Sequence, residues 1–179
     1  MKQRQLKYDR KLQYMIDGAR TGVGFIMAWA FADKAFGLGF NTCAGDNGGT
    51  EIMCDSAWLA GGSPTTGFLE FAVDGPFAPL FNSMAGIALV DWMFMLGLLL
   101  GGVALLFGIG IKIATVGASI LFFMMWMAVF PTDTNPILSD HIIYIFVLMA
   151  ALIANKSQII GFGQLWRKTS LVKKYSILE

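Results

Sequence analysis

From Trp92 to Ile109 the chain reads WMFMLGLLLGGVALLFGI, 18 residues without a single charge. At a rise of about 1.5 Å per residue, a helix of roughly 20 apolar residues crosses a hydrocarbon core of about 30 Å. Lipid offers no partner to a free backbone N–H or C=O, so a run like this has to be helical if lipid surrounds it. Three other stretches read the same way. The expected spans are about 12–32, 92–109, 113–130 and 142–162, with Gly108 and Gly110 making a tight turn and Pro131 ending the third span.

Composition points to the same solvent. Charged residues are 14% of the chain and hydrophobic residues 56%, with 15 Phe and 11 Met, where soluble domains carry about 25% charged residues. Mean hydropathy is +0.62. A soluble chain of 19.5 kDa would leave too much of this apolar surface in water. The bilayer is therefore the expected partner, and a net charge of +1 argues against nucleic acid. The polar, basic start MKQRQLKYDRK is followed by a long apolar run with no small-residue cleavage site, so the first span reads as a retained anchor.

Lys and Arg give an orientation. Lys2, Arg4, Lys7, Arg10, Lys11 and Arg20 lie in the N-terminal arm and the start of the first span. Lys112 lies in the turn after the second span, and Lys156, Arg167, Lys168, Lys173 and Lys174 lie at the end of the fourth and in the tail 163–179. Only Lys34 falls on the other side, where residues 35–90 hold Asp46, Glu51, Asp55, Glu70 and Asp74 and no basic residue. The positive-inside rule puts both termini in the cytoplasm, with the loop 33–91 outside; the membrane expected is the cell membrane of a prokaryote. The fold class expected is all-α: a transmembrane four-helix bundle, one domain over 1–179, with a long extracytoplasmic loop. In that loop Ser63-Pro64 reads as the start of a short interfacial helix running to about Val73 and stopped at Gly75-Pro76. Gly18 and Gly22, and Gly97 and Gly101, have the Gly-x-x-x-Gly spacing that lets membrane helices approach closely.

Ionisable groups at membrane depth are functional suspects because burying charge in lipid is costly. An outer cluster comprises Asp33 and Lys34, Asp91 and Trp92, and Asp140 and His141. Topology brings these helix ends to one leaflet, and His141 is the sole histidine, able to exchange protons near neutral pH. Capping and interfacial anchoring are the competing account of Asp91, Asp140, Trp29 and Trp92. An inner cluster, Asp17, Arg20 and Lys156, reads as structural pairing. Cys43 and Cys54 sit in the oxidising compartment, where a disulfide stapling a Gly-rich loop is the plain expectation. A redox pair would more usually be C-x-x-C, which is absent. Neither a metal ligand set nor a flavin or phosphate motif is evident.

Several segments resemble the DoxX/DoxD family: MAWAFADKAFGLGF at 27–40, SAWLAGGSPTTGFLEFAVDGPFAPLF at 56–81, VDWMFMLGLLLGGVALLFGIGIKIA at 90–114 and NPILSDHIIYIFVLMA at 135–150. The resemblance covers roughly residues 15–166. It implies four membrane helices and, in the DoxD branch, the membrane subunit of a thiosulfate:quinone oxidoreductase, with quinone as diffusible electron acceptor and a second subunit as partner. Other members are accessory proteins of redox or respiratory complexes. By position it points to Asp33, Lys34, Asp91, Trp92, Asp140 and His141, and to Arg20. The expectation drawn is a quinone-linked oxidoreductase subunit with His141, Asp91 and Asp33 in proton transfer and Lys34, Trp92, Asp140 and Arg20 binding ligand. The alternative is a non-catalytic accessory subunit of a larger membrane complex.

Overall fold

The protein is described by a computed structural model covering residues 2–45, 51–132 and 135–179, with side chains from Asp9 onward. Asp46, part of the outer acidic set, and the side chains of Lys2, Arg4 and Lys7 lie outside the described residues. The described chain is all-helical: α1 Lys2–Phe36, α2 Thr66–Phe71, α3 Ala78–Asn82, α4 Ala88–Phe107, α5 Ile111–Ala128, α6 Asp140–Ile153, α7 Gly163–Trp166 and α8 Ser170–Lys174, with single 3-10 turns at Trp58–Ala60, Asn155–Ser157 and Ser176–Leu178. Two of these, α4 and α5, are long and apolar enough to cross a membrane.

Four helices form the body. α1 packs chiefly on α4, α4 on α5 and α5 on α6, while α1 meets α6 along a shorter seam. Their inward faces build one core from Val23 and Met27 of α1, Met95, Leu98 and Leu105 of α4, Ile111, Ala118 and Phe122 of α5 and Leu148 of α6. The closest approach is between α1 and α4. A β-carbon at Gly102 would lie 2.7 Å from the Ala28 amide nitrogen, and one at Gly24 would lie 2.6 Å from the Leu106 amide nitrogen. Of the glycines singled out by spacing, Gly97 and Gly101 do face neighbours, the side chains of Leu121 and Met27. Gly18 and Gly22 do not: no atom lies within 4 Å of a β-carbon placed there, and both are exposed.

Boundaries differ from the sequence expectation in four places. The basic arm is not separate, because α1 begins at Lys2 and runs 35 residues. α4 begins at Ala88 rather than Trp92, which puts Asp91 inside the first turn. The short loop helix is only Thr66–Phe71, ending before Gly75-Pro76, and α3 follows it with Pro79 in its first turn. The largest difference is in the fourth span. α6 stops at Ile153, and a 3-10 turn and irregular backbone replace the helix expected up to Phe162. Asn155, Ser157 and Gln158 supply polar groups there that a continuous apolar helix would not need, and Gly161, at φ 106°, turns the chain in a way L side chains rarely allow.

α2 and α3 sit across the outer end of the bundle. Leu69, Val73 and Phe81 bury themselves against Ala128 of α5, with Met127 and Val90 alongside. At the other end the tail folds back under the α4–α5 turn. Lys112 Nζ contacts Glu179 at 3.0 Å and the Ser176 carbonyl at 2.9 Å, and Trp166 donates to the Leu178 carbonyl at 2.6 Å.

Candidate functional site

At the outer end, α1, α4, α5 and α6 diverge around a cavity of about 920 Å³. Its floor is apolar, with Met27 of α1, Leu98 of α4 and Phe122 of α5, all from the core. Lys34 of α1 and His141 and Tyr144 of α6 face it from the sides, and Thr42, Cys43, Asp55, Ser56, Ser63 and Thr66 supply a polar roof from the loop. His141 and Tyr144 are three residues apart on one face of α6 and both pack against Phe122, at ring-centroid distances of 6.2 and 5.2 Å. His141 Nδ1 lies 3.3 Å from Ser139 Oγ. Among the described residues Lys34 has no carboxylate within ion-pair distance.

Two carboxylates hold the roof rather than face the cavity. Asp33 is 2% exposed, and its oxygens accept three backbone N–H groups, from Phe40 at 3.1 Å, Asn41 at 3.0 Å and Thr42 at 3.1 Å. The chain leaving α1 at Gly37, φ 64°, wraps round that carboxylate, which compensates its charge with aligned amides. Asp91, buried in the first turn of α4, accepts the hydroxyls of Ser63 at 2.9 Å and Thr65 at 2.5 Å. Ser63 also accepts the Thr66 N–H at 3.1 Å. Between these two anchors lies the Cys43–Cys54 disulfide, with a Cα–Cα distance of 5.9 Å.

The outer set therefore divides. Lys34 and His141 line the cavity, whereas Asp33 and Asp91 pin its roof. Asp140 is exposed at the start of α6 behind Ser139. Trp92 lies on another side of α4, edge-on to Trp58 at 4.7 Å, beside a separate apolar pocket of about 350 Å³. Trp29, expected as an anchor, is 40% exposed and packs edge-on against Phe40. Tyr144 and the roof hydroxyls were missed by sequence reasoning. Tyr144 was detectable as the residue one helical turn beyond His141. The hydroxyls carried no such signal, because their partner Asp91 is distant in sequence.

The inner set is a structural clamp. Arg20, 1% exposed, donates from Nη1 to the Leu105 carbonyl at the end of α4 and from Nη2 to the Ile160 carbonyl at 2.8 Å. Asp17 accepts the N–H of Ile159 at 2.6 Å, the N–H of Ile160 at 2.9 Å and the Gln13 side-chain amide at 2.9 Å. Arg20 thus faces backbone rather than the outer cavity. Lys156 is outside this cluster: its side chain is exposed, and its carbonyl accepts from Arg167. The described residues contain no group of three or more His, Cys, Asp or Glu side chains able to hold a metal ion.

No family model, curated protein or solved structure matches this chain.

Proposed function

We propose that the chain is a four-helix membrane protein with both ends at the cytoplasmic face. We further propose that its outer cavity holds the headgroup of a membrane quinone, making it the membrane subunit of a quinone-linked oxidoreductase. The bilayer reading is supported by what surrounds the body. Met93, Leu100, Ile120, Phe146 and Ile153 point outward and are each more than half exposed, an apolar exterior that water disfavours and lipid accepts. The basic ends and the acidic loop supply the orientation.

The observation carrying the quinone reading is the cavity itself: the Lys34 amine, an imidazole and a phenol above an apolar floor. A quinone needs donors for two carbonyl oxygens and an apolar bed for its ring, and on reduction it takes up two electrons and two protons. Lys34 and Tyr144 can donate to the oxygens, and His141 can pass protons near neutral pH. The DoxX/DoxD resemblance adds thiosulfate as electron donor and a second subunit as the place where it is oxidised.

The test is an equilibrium titration of the protein in lipid nanodiscs with a short-chain quinone analogue, read by tryptophan quenching. Saturable binding that weakens at least tenfold in Lys34→Met supports the site; no saturable binding removes it. In native membranes, thiosulfate-dependent quinone reduction should fall in His141→Ala, and unchanged rates would remove His141 from the chemistry.

A second reading is favoured by one observation. Asp33 and Asp91 are fully engaged in holding the loop, which leaves fewer groups for proton transfer than the sequence suggested. In that reading the chain is a non-catalytic subunit. Purification in mild detergent with a stable partner and without bound quinone would support it.

A further inference from the structure

We propose that Cys43 and Cys54 are a working redox pair that oxidises a protein dithiol outside the membrane and passes the electrons to the quinone in the cavity beside them. The proposal rests on the quinone reading above and gives that site a dithiol, in place of thiosulfate, as its electron donor.

Three observations carry it. First, Cys43 lines the same cavity as Lys34 and His141, so one end of the disulfide borders the space in which the quinone ring would lie. Second, the backbone on either side of the disulfide has anchors of its own. Asp33 grips the amides of residues 40–42 just before Cys43. Met53 donates its N–H to the Phe36 carbonyl at 2.9 Å, and Ala57 donates to the Cys54 carbonyl at 2.8 Å. In the proposed cycle these flanking anchors keep the two cysteines near one another while the bond is open. A staple would be most useful where such anchors are missing. Third, Cys43 has φ 64°. Non-glycine residues seldom take this left-handed conformation, and those that do concentrate at functional sites. Lys34 lines the same cavity as Cys43, and in its charged form it would favour the thiolate, the form that attacks a disulfide or transfers electrons.

The chemistry balances in two steps. A thiolate of the outside dithiol attacks the Cys43–Cys54 bond and forms a mixed disulfide. Its second thiol then displaces the cysteine, leaving the substrate oxidised and Cys43 and Cys54 reduced. In the second step the two S–H bonds break and the S–S bond re-forms. The two electrons and two protons go to the two oxygens of the quinone, giving hydroquinone. The sum is dithiol plus quinone to disulfide plus hydroquinone.

The experiment uses the full chain in lipid nanodiscs, its pair reduced with a phosphine that is then removed, under anaerobic conditions. The probe is a short-chain benzoquinone substituted at every ring carbon, to which thiols cannot add. Thiols are counted by maleimide mass-tagging and hydroquinone by ultraviolet absorbance. One hydroquinone formed per two thiols lost, none in Cys43→Ser, and a rate at least tenfold lower in Lys34→Met with unchanged thermal stability would support the relay. If the quinone binds saturably but the thiols persist, the relay falls and the quinone site stands. If no quinone binds, both fall. If reduction alone abolishes the helical circular dichroism, the bond is a staple and the relay is overturned.

Discussion

Asp17 and Arg20, one helical turn apart on α1, grip opposite sides of the same residue: Asp17 accepts the N–H of Ile160 and Arg20 donates to its carbonyl. They form no direct ion pair within 4.0 Å; Asp17 is held by backbone of the segment after α6, and Arg20 bridges that segment to the Leu105 carbonyl of α4. Arg20→Ala should therefore lower stability by about 2–4 kcal/mol, because it removes the buried side chain that ties α1 to α4 and to Ile160 and leaves the Leu105 carbonyl without that donor. Asp17→Asn should cost less, about 1–3 kcal/mol, since one acceptor oxygen remains. Thermal unfolding in detergent, followed by tryptophan emission, measures both. Equal melting temperatures for wild type and Arg20→Ala would contradict the clamp.

A pair of alanine substitutions separates packed from unpacked glycines. Gly102→Ala places a β-carbon 2.7 Å from backbone, so α1 and α4 must part; a loss of about 1–3 kcal/mol follows. Gly18→Ala meets nothing and should be neutral or stabilising by up to about 1 kcal/mol, as alanine is the better helix former. The same melting assay should order the two variants in this way.

Asp91 holds the roof through two hydroxyls. Asp91→Ala should free the Ser63–Thr65 segment, speeding protease cleavage there and lowering stability by about 1–3 kcal/mol. Asp91→Asn keeps an acceptor oxygen and should cleave at close to the wild-type rate. Mass spectrometry of timed digests reads the result.

The Glu179 carboxyl is held below its ordinary value, chiefly by the hydrogen bond from Lys112 and then by nearby positive charge. It binds fewer protons folded than unfolded, so its contribution is present above the unfolded value of about 4.3 and is lost as pH falls through the lowered one. The pair is open to solvent, so the contribution is below about 1 kcal/mol. Glu179→Gln should melt slightly earlier than wild type at pH 7, and the gap should close in strongly acidic buffer. A gap that persists at pH 3 would contradict this account.

The body of the fold was legible because long apolar runs and glycine turns are local signals. The end of the fourth helix was not. The segment IIGFG at 159–163 continues the apolar run, and the partners that satisfy an irregular chain there include Asp17, Arg20 and the Phe107 carbonyl, all far away in sequence. The outer site was half legible. Charge at the span ends marked Lys34 and His141, which line one cavity, but also marked Asp33 and Asp91, whose partners come from how the loop folds back. An acid beside a helix end looks the same in sequence whether it faces a cavity or three amides.

The early stop of α6 has a further consequence for a bundle set in lipid. Its 14 residues reach about 21 Å at about 1.5 Å per residue, against a hydrocarbon thickness of about 30 Å. In the proposed bilayer setting, acyl chains beside the exposed Ile153 would shorten or splay to meet the early end of the helix. A thin bilayer, matched to the shortest crossing, would then suit the protein best, and thicker lipids would strain the end near Ile153 first.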